Sequence, residues 1–255
     1  LGVSYNITSH QNVLPNLACQ LAHEAKLQLD FMPEEIAHHG CAAGMLNLER
    51  AVRYCAKSQK AAIIYTFDQC TCIANPIYDR ADKNFKASLR AAVLFSDGAA
   101  GLLLVPESLR SRFKQPLMKI MDMQTCFHPG NAIKMQGNTF LVKNGVDKEM
   151  PKVTARELIK PMLDKANLSG TDIDEWSLHQ GGLPVLKSFS DEDVLGLSQQ
   201  QLSRSCLMFQ RYGNLSSPSC FFVLESFFNE RDKKQHGKYG IVAGFGAGYY
   251  LSGAL

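Results

Sequence analysis

Apolar residues along the chain follow two spacings, and these predict alternating helices and strands. Helical spacing marks segment 12–29, where Pro15 stands near the start, and segment 42–57, where Met45 and Leu48 fall on one stripe. Short continuous apolar runs are typical of buried strands, and they occur at 1–5, 61–67, 91–95, 99–105 and 117–126. The first half of the chain is therefore predicted to mix strands with amphipathic helices.

The second half repeats this alternation. Segment 154–166 has helical spacing, with Thr154 as a possible N-cap and Glu157 as its capping-box partner, although Pro161 disfavours an unbroken helix there. Two further helices are predicted at 183–189 and 216–229, and three strands at 176–179, 238–243 and 249–255. Strands that alternate with helices in this way predict an α/β architecture with buried sheets.

Turn-forming residues divide the chain into two parts. Pro129-Gly130, Gly137-Asn138 and Asn144-Gly145 follow one another within a stretch that has little periodicity. We therefore predict three segments, which are a first half at 1–127, a linker at 128–152 and a second half at 153–255.

The composition is that of an ordinary globular protein. The 255 residues include 27 Lys and Arg against 24 Asp and Glu, a net charge of +3, and 45% of them are hydrophobic. This balance argues against a disordered chain. It does not predict nucleic-acid binding, which needs a clustered basic face, and no apolar stretch approaches the roughly 18–20 residues of a transmembrane helix.

The cysteines predict a reducing, cytoplasmic environment. There are eight, but Cys70 and Cys72 are too close for a normal disulfide, and no Cys-x-x-Cys pair indicates a zinc site. The first five residues carry no targeting signal and are typical of the interior of a strand. We therefore expect a further segment of the fold to precede Leu1.

Two glycine-flanked residues stand where a strand or loop meets a helix. Cys41 lies in Gly40-Cys41-Ala42-Ala43-Gly44, where the positive end of the following helix is expected to lower the thiol pKa. His179 follows a strand and precedes Gly181-Gly182, so its ring is expected to point into the crevice at the end of a sheet. Taken singly, a buried structural cysteine and a structural histidine are the more common interpretations.

A third candidate and a glycine-rich loop complete the set. Asn214 follows Gly213 before a helix, where asparagine is most often an N-cap or turn residue. The segment 244–248, Gly-Phe-Gly-Ala-Gly, offers backbone N–H groups for an oxyanion. Together the candidates would supply a nucleophile, an acid or base, and hydrogen-bond donors.

In this order the motifs resemble those of the thiolase-fold condensing enzymes, above all 3-oxoacyl-ACP synthase III and the type III polyketide synthases. His179-Gln180 resembles the H-Q pair of the first group, whereas His179 with Gly181-Gly182 is similar to the H-P-G-G of the second. The other matching segments are 40–44, Phe95-Ser96-Asp97-Gly98-Ala99-Ala100, Met135-Gln136-Gly137, Gly213-Asn214-Leu215-Ser216-Ser217 and the loop 244–248. The resemblance covers nearly the whole chain.

The resemblance implies a duplicated thiolase-like fold with α-β-α-β-α layers, of which the N-terminal half is expected to be incomplete. It implies that Cys41 holds an acyl group, and that His179 and Asn214 hydrogen-bond a malonyl thioester as the malonyl group loses CO₂. The carbanion then attacks the acyl-Cys41 carbonyl, and backbone N–H groups of Cys41, Gly246 and Ala247 form the implied oxyanion hole.

The same resemblance implies the partners. The substrates are expected to be acyl-CoA or acyl-ACP with malonyl-CoA or malonyl-ACP, in fatty-acid or polyketide-type biosynthesis. No metal or redox cofactor is expected, and a homodimer is expected in which the central sheet continues across the interface. No substrate-binding residue follows from the motifs.

Three alternatives remain open at this point. The chain could transfer its acyl group to an alcohol, an amine or water without condensation, or it could be one subunit of a heteromeric synthase. The order Cys, His, Asn also occurs in cysteine proteases, but the motifs at Asp97-Gly98 and 244–248 do not fit that class.

Overall fold

The computed structural model describes residues 1–8, 14–73, 75–114, 117–137, 139–230 and 238–255, and it is a mixed α/β structure. The strands are β1 (Gly2–Tyr5), β2 (Glu34–Ala37), β3 (Ala62–Asp68), β4 (Gly98–Leu104), β5 (Met123–Phe127), β6 (Ile133–Gln136), β7 (Thr139–Val142), β8 (Ile173–Leu178), β9 (Tyr239–Phe245) and β10 (Tyr250–Ala254). The α-helices are α1 (Leu17–Glu24), α2 (Ala43–Ser58), α3 (Phe85–Leu94), α4 (Val146–Thr154), α5 (Lys160–Ala166), α6 (Leu183–Ser188), α7 (Gln199–Tyr212) and α8 (Ser219–Glu230). Short 3₁₀ turns include Gly40–Ala42, Cys70–Ile73 and Ala247–Tyr249.

Two four-stranded sheets repeat the same local topology. The first has the order β2-β1-β3-β4, and the second has the order β5-β10-β9-β8. In each sheet a parallel pair, β1 with β3 or β8 with β9, is followed by an antiparallel partner, β4 or β10. Strands β6 and β7 form a separate antiparallel hairpin. The repeat agrees with the predicted duplicated fold.

Two helices lie between the sheets. Helix α2 contacts β1 and β3 of the first sheet and β5, β9 and β10 of the second, and α8 contacts both β4 and β8. The long helical segment from α4 to α5 packs against β5 and β10, and α1 packs against β1 and β2. This arrangement gives the α-β-α-β-α layers that we predicted.

The central helix α2 is held by an apolar stripe at helical spacing. Met45, Leu48, Ala51 and Cys55 are buried on the side that packs against the sheets. Burying a side chain the size of Met45 or Leu48 contributes about 1.5–3 kcal/mol each. Because Met45 and Leu48 follow Cys41 by four and seven residues, this packing fixes the start of the helix close to the cysteine.

Several predicted elements differ from the structure. Segment 91–95 is the end of α3 rather than a strand, because a short apolar run also fits a helix whose Ala91 faces the core. Thr154 is not an N-cap, since α4, a π-helical segment at Ala155–Ile159 and α5 form one continuous helix. The wider π turn, closed by the bond from Lys160 N to Ala155 O, lies directly before Pro161, which has no N–H to donate.

The predicted division of the chain also differs. Strand β5 lies within the predicted first half, but it pairs with β10 in the second sheet. The predicted linker 128–152 contains the β6–β7 hairpin and the start of α4. Helix α1 begins at Leu17, where Asn16 accepts a hydrogen bond from Cys19 N, and residues 12 and 13 of the predicted helix lie outside the described residues.

All eight cysteines are free. In the part of the chain that the structure describes, no helix is long and apolar enough to cross a membrane.

Candidate active site

Cys41 lies in a 3₁₀ turn that leads directly into α2. The turn needs a left-handed residue at its start, and Gly40 supplies it with φ of 60°. Asn6 donates from Nδ2 to Gly40 O at 2.8 Å, which ties the turn to the end of β1. The Cys41 side chain is consequently buried, with 6% of its surface exposed.

Ser216 is the side chain that contacts the cysteine sulfur through a hydrogen bond. Its hydroxyl donates to Cys41 Sγ at 3.5 Å. The serine has φ of 61°, an unusual conformation for a residue with a side chain, and its N–H donates to Asn214 Oδ1 at 2.8 Å. Cys41 and Asn214 are therefore connected through a single intervening residue.

Asn214 is fixed at both its backbone and its side chain. Its N–H donates to Leu94 O at 3.0 Å, and its own carbonyl accepts from Ser96 N at 2.9 Å. Its side-chain Oδ1 accepts from Ser216 N and, at 3.4 Å, from the hydroxyl of Ser219. Because Oδ1 already accepts two hydrogen bonds, the amide NH₂ is the group left to donate.

His179 lies at the end of β8, next to the strand that leads into the glycine loop. Its N–H donates to Ala243 O at 2.9 Å, and its ring stands edge-on to Phe245 with centroids 5.1 Å apart. Only 2% of the residue is exposed. Its side chain is not hydrogen-bonded to Cys41 within the described residues, so the glycine loop is what links the two.

The glycine loop packs directly against the cysteine turn. A methyl carbon on Gly246 would collide with backbone atoms of this turn, among them Ala42 N at 2.9 Å and Cys41 Cα at 3.1 Å. A methyl carbon on Gly40 would lie 2.5 Å from Ala247 N. Glycine is therefore required at both positions for this close backbone approach.

Of the loop N–H groups that we predicted for the oxyanion hole, that of Gly246 already has a hydrogen-bond partner. The N–H of Gly246 donates to Tyr250 O at 3.1 Å, because the turn between β9 and β10 uses it. It is thus not free for an oxyanion. The N–H of Ala247 has no hydrogen-bond partner among the residues that the structure describes, so Ala247 is the better loop candidate beside Cys41 N.

Asp68 is a buried residue that the sequence analysis did not single out. Its carboxylate accepts five hydrogen bonds, from Asn6 N and Nδ2, Ile7 N, and Ser217 N and Oγ, over 2.7–3.1 Å. The signal in the sequence is an aspartate at the end of an apolar strand, where the chain leaves the sheet. Asp68 joins the end of β1 to the segment that carries Asn214.

Burial keeps both central titratable groups neutral. It raises the pKa of the Cys41 thiol to about 12, with a smaller opposing effect from the Ser216 hydrogen bond and a further rise from the Asp68 charge. It lowers the pKa of His179 to about 3. We expected the helix dipole to lower the thiol pKa, but desolvation outweighs it in this buried site.

A family model matches the second half of the chain. The model for the C-terminal domain of chalcone and stilbene synthases matches residues 120–255, just over half of the chain. The chain belongs to the chalcone and stilbene synthase family. This family membership supports the polyketide branch of the predicted resemblance.

Curated proteins of this chalcone and stilbene synthase type are moderately similar to the chain. A putative chalcone synthase of Bacillus subtilis is 27% identical over 82% of this chain, which spans 58% of that protein. Type III polyketide synthase B of Arabidopsis thaliana is 24% identical over 98% of this chain, which spans 65% of that protein. The chain therefore spans less than two thirds of the length of these relatives.

Two solved polyketide synthase structures confirm the thiolase-type fold. PKS-I from the brown alga Ectocarpus siliculosus has a TM-score of 0.81 at 22% identity, covering 99% of this chain and 67% of that one. The 1,3,6,8-tetrahydroxynaphthalene synthase of Streptomyces coelicolor has a TM-score of 0.79 at 21% identity, covering 99% and 70%.

The close approach of the glycine loop gives a first prediction. Gly246→Ala places a methyl group against the Cys41 turn, so we expect the free energy of unfolding to fall by about 1–3 kcal/mol. Urea denaturation measures the change. The control is Gly170→Ala, which meets nothing within 4 Å. Equal stability of the two variants would contradict the close packing of loop and turn.

The buried imidazole gives a second prediction. Because the pKa of His179 is about 3 when folded and 6.5 when exposed, the unfolded chain takes up a proton first as the pH falls below 6.5. The free energy of unfolding should then fall by roughly 1.4 kcal/mol per pH unit relative to His179→Gln. Denaturation of both proteins between pH 7.5 and pH 4.5 measures this difference, and parallel curves would refute a neutral buried His179.

Proposed function

We propose that the chain catalyses decarboxylative Claisen condensation of an acyl thioester with a malonyl thioester. The observation that carries the proposal is the packing of three segments around one buried thiol. These are the turn at Cys41, the segment from Asn214 to Ser216, and the segment 244–248 at the end of β9, whose Phe245 contacts the ring of His179. The names of the relatives, putative chalcone synthase and type III polyketide synthase B, support the same chemistry.

In the first step Cys41 takes the acyl group. The sulfur attacks the thioester carbonyl carbon, a new C–S bond forms, and the carrier thiol leaves. The thiol proton must be removed for this attack, and we assign its removal to His179. The protonated imidazole then returns the proton to the departing carrier thiolate.

In the second step the malonyl group loses CO₂. The electrons of the broken C–C bond move into an enolate, whose oxygen becomes negative. We assign His179 and the NH₂ of Asn214 as the hydrogen-bond donors to this oxygen. The proposal for Asn214 is supported by its orientation, because its Oδ1 already accepts from Ser216 N and Ser219.

In the third step the enolate carbon attacks the acyl-Cys41 carbonyl. A C–C bond forms, the C–S bond to Cys41 breaks, and the extended product leaves on the thioester that carried malonyl. The tetrahedral oxyanion is assigned to the N–H groups of Cys41 and Ala247. One such donor typically contributes about 3–4 kcal/mol to the transition state.

The remaining assignments also belong to this proposal. Acyl-CoA and malonyl-CoA are the proposed substrates, with carrier-protein thioesters as the variant to be tested. The thiol and the enolate carry all covalent chemistry, so no metal or redox cofactor enters the scheme. A homodimer stays a prediction, for which edge strand β2 of the first sheet offers the pairing site, and cytoplasmic location stays a prediction as well.

The test is turnover of malonyl-CoA labelled at its free carboxylate. With an acyl-CoA present, the chain should release labelled CO₂ and form a 3-oxoacyl product, which mass spectrometry detects. Cys41→Ala should abolish product. Asn214→Asp keeps the acceptor for Ser216 N but loses the NH₂ donor, so CO₂ release should fall about 100-fold while acyl transfer to Cys41 persists.

Two results would contradict condensation. Acyl transfer to water, an alcohol or an amine with malonyl-CoA untouched would identify a non-condensing transferase. Turnover that begins only when a second, different chain is added would identify a subunit of a heteromeric synthase. The same assay repeated with acyl-ACP and malonyl-ACP separates the two classes of carrier.

A further inference from the structure

The Cys41 sulfur lies in surroundings that oppose a negative charge. The side chain is buried, and the Asp68 carboxylate at the end of β3 lies close enough to disfavour the thiolate. Two more thiols interact with it electrostatically, Cys70 in a 3₁₀ turn and Cys220 in α8. Each titratable group in this set, when charged, would repel a thiolate.

One side chain counters this environment. Among the described residues, the Ser216 hydroxyl is the side-chain donor that reaches the sulfur, at 3.5 Å. Hydrogen bonds to a charged sulfur are stronger than those to a neutral thiol, so this contact favours the thiolate. Ser216 is itself buried, with 3% of its surface exposed, so water does not compete for the hydroxyl.

The backbone of Ser216 has an unfavourable conformation with positive φ, and in this conformation its hydroxyl reaches the Cys41 sulfur. A non-glycine residue at φ of 61° costs of order 1–3 kcal/mol, and such residues persist where the surrounding structure holds them. Here the bond from Ser216 N to Asn214 Oδ1 holds the residue. Ser217 fixes the next position through two hydrogen bonds to Asp68.

We propose that Ser216 is a positioning residue whose hydroxyl stabilises the Cys41 thiolate each time the reaction forms it. This inference rests on the proposed function, in which the thiolate forms twice, once before acyl transfer and once when the extended product leaves. The proton removed from the thiol still goes to His179.

The test compares two substitutions of Ser216. Ser216→Ala removes the hydroxyl and keeps the backbone strain, whereas Ser216→Gly removes the hydroxyl and relieves the strain. The readout is the rate at which iodoacetamide alkylates Cys41 between pH 7 and pH 11, followed by peptide mass spectrometry to separate it from the other seven cysteines. The control is Ser205→Ala, which removes a buried hydroxyl that bonds Trp176 O.

Both Ser216 variants should alkylate about tenfold more slowly than wild type at pH 8, and Ser205→Ala should match wild type. Unchanged rates in both Ser216 variants would overturn the proposal. A slow Ser216→Ala with a normal Ser216→Gly would also overturn it, because the effect would then come from the backbone. If Ser216→Ala does not fold, the strain-free Ser216→Gly decides alone.

The experiment is independent of the proposed reaction. Alkylation needs no acyl or malonyl donor, so a chain that condenses nothing still reports whether Ser216 controls the sulfur. Conversely, a chain that condenses acyl groups with unchanged alkylation in both variants would retain the function and lose the assignment of Ser216.

Discussion

The buried carboxylate of Asp68 is the constraint on which the site depends. Strand β3 of the first sheet ends at this residue, and five donors from two other segments converge on its oxygens. On one side it fixes Asn6, which in turn bonds the carbonyl of Gly40 in the nucleophile turn. On the other side it fixes Ser217, next to Ser216. Among the residues that the structure describes, no cation pairs with this carboxylate, and its hydrogen bonds replace those of water. The Asp68 carboxylate therefore sets the distance between the Cys41 turn and the segment that carries Asn214 and Ser216.

The position of Asp68 disfavours a negative charge on the Cys41 sulfur. The carboxylate that fixes the geometry also raises the pKa of Cys41, and burial raises it further. The site compensates with neutral hydrogen-bond donors. Ser216 donates to the sulfur, and the loop after β9 brings the backbone N–H of Ala247 against the Cys41 turn. His179 is also kept neutral by burial, so the resting site contains a thiol and an imidazole. A negative charge that forms during the reaction is then stabilised only at positions that hydrogen-bond donors already face.

Much of this arrangement follows from the sequence, because its signals are local. Glycines beside Cys41 and Asn214 mark backbone that approaches closely or takes positive φ, and such positions tolerate few other residues. What the sequence did not reveal depends on contacts between distant segments. The hydrogen bond from Gly246 to Tyr250 removes one predicted oxyanion donor, and it is set by the register of β9 and β10. Strand β5 joins the second sheet by pairing with β10, more than a hundred residues later. Asp68 likewise collects partners that lie about 60 and 149 residues away.

Intact-protein mass spectrometry shows whether Cys41 carries the acyl group. The protein is mixed with acyl-CoAs from acetyl to long-chain, beside Cys41→Ala as the control. We expect a mass gain of one acyl group that is lost in the control, and the preferred acyl chain identifies the starter. No mass gain with any acyl-CoA or acyl-ACP, or an equal gain in Cys41→Ala, would contradict it.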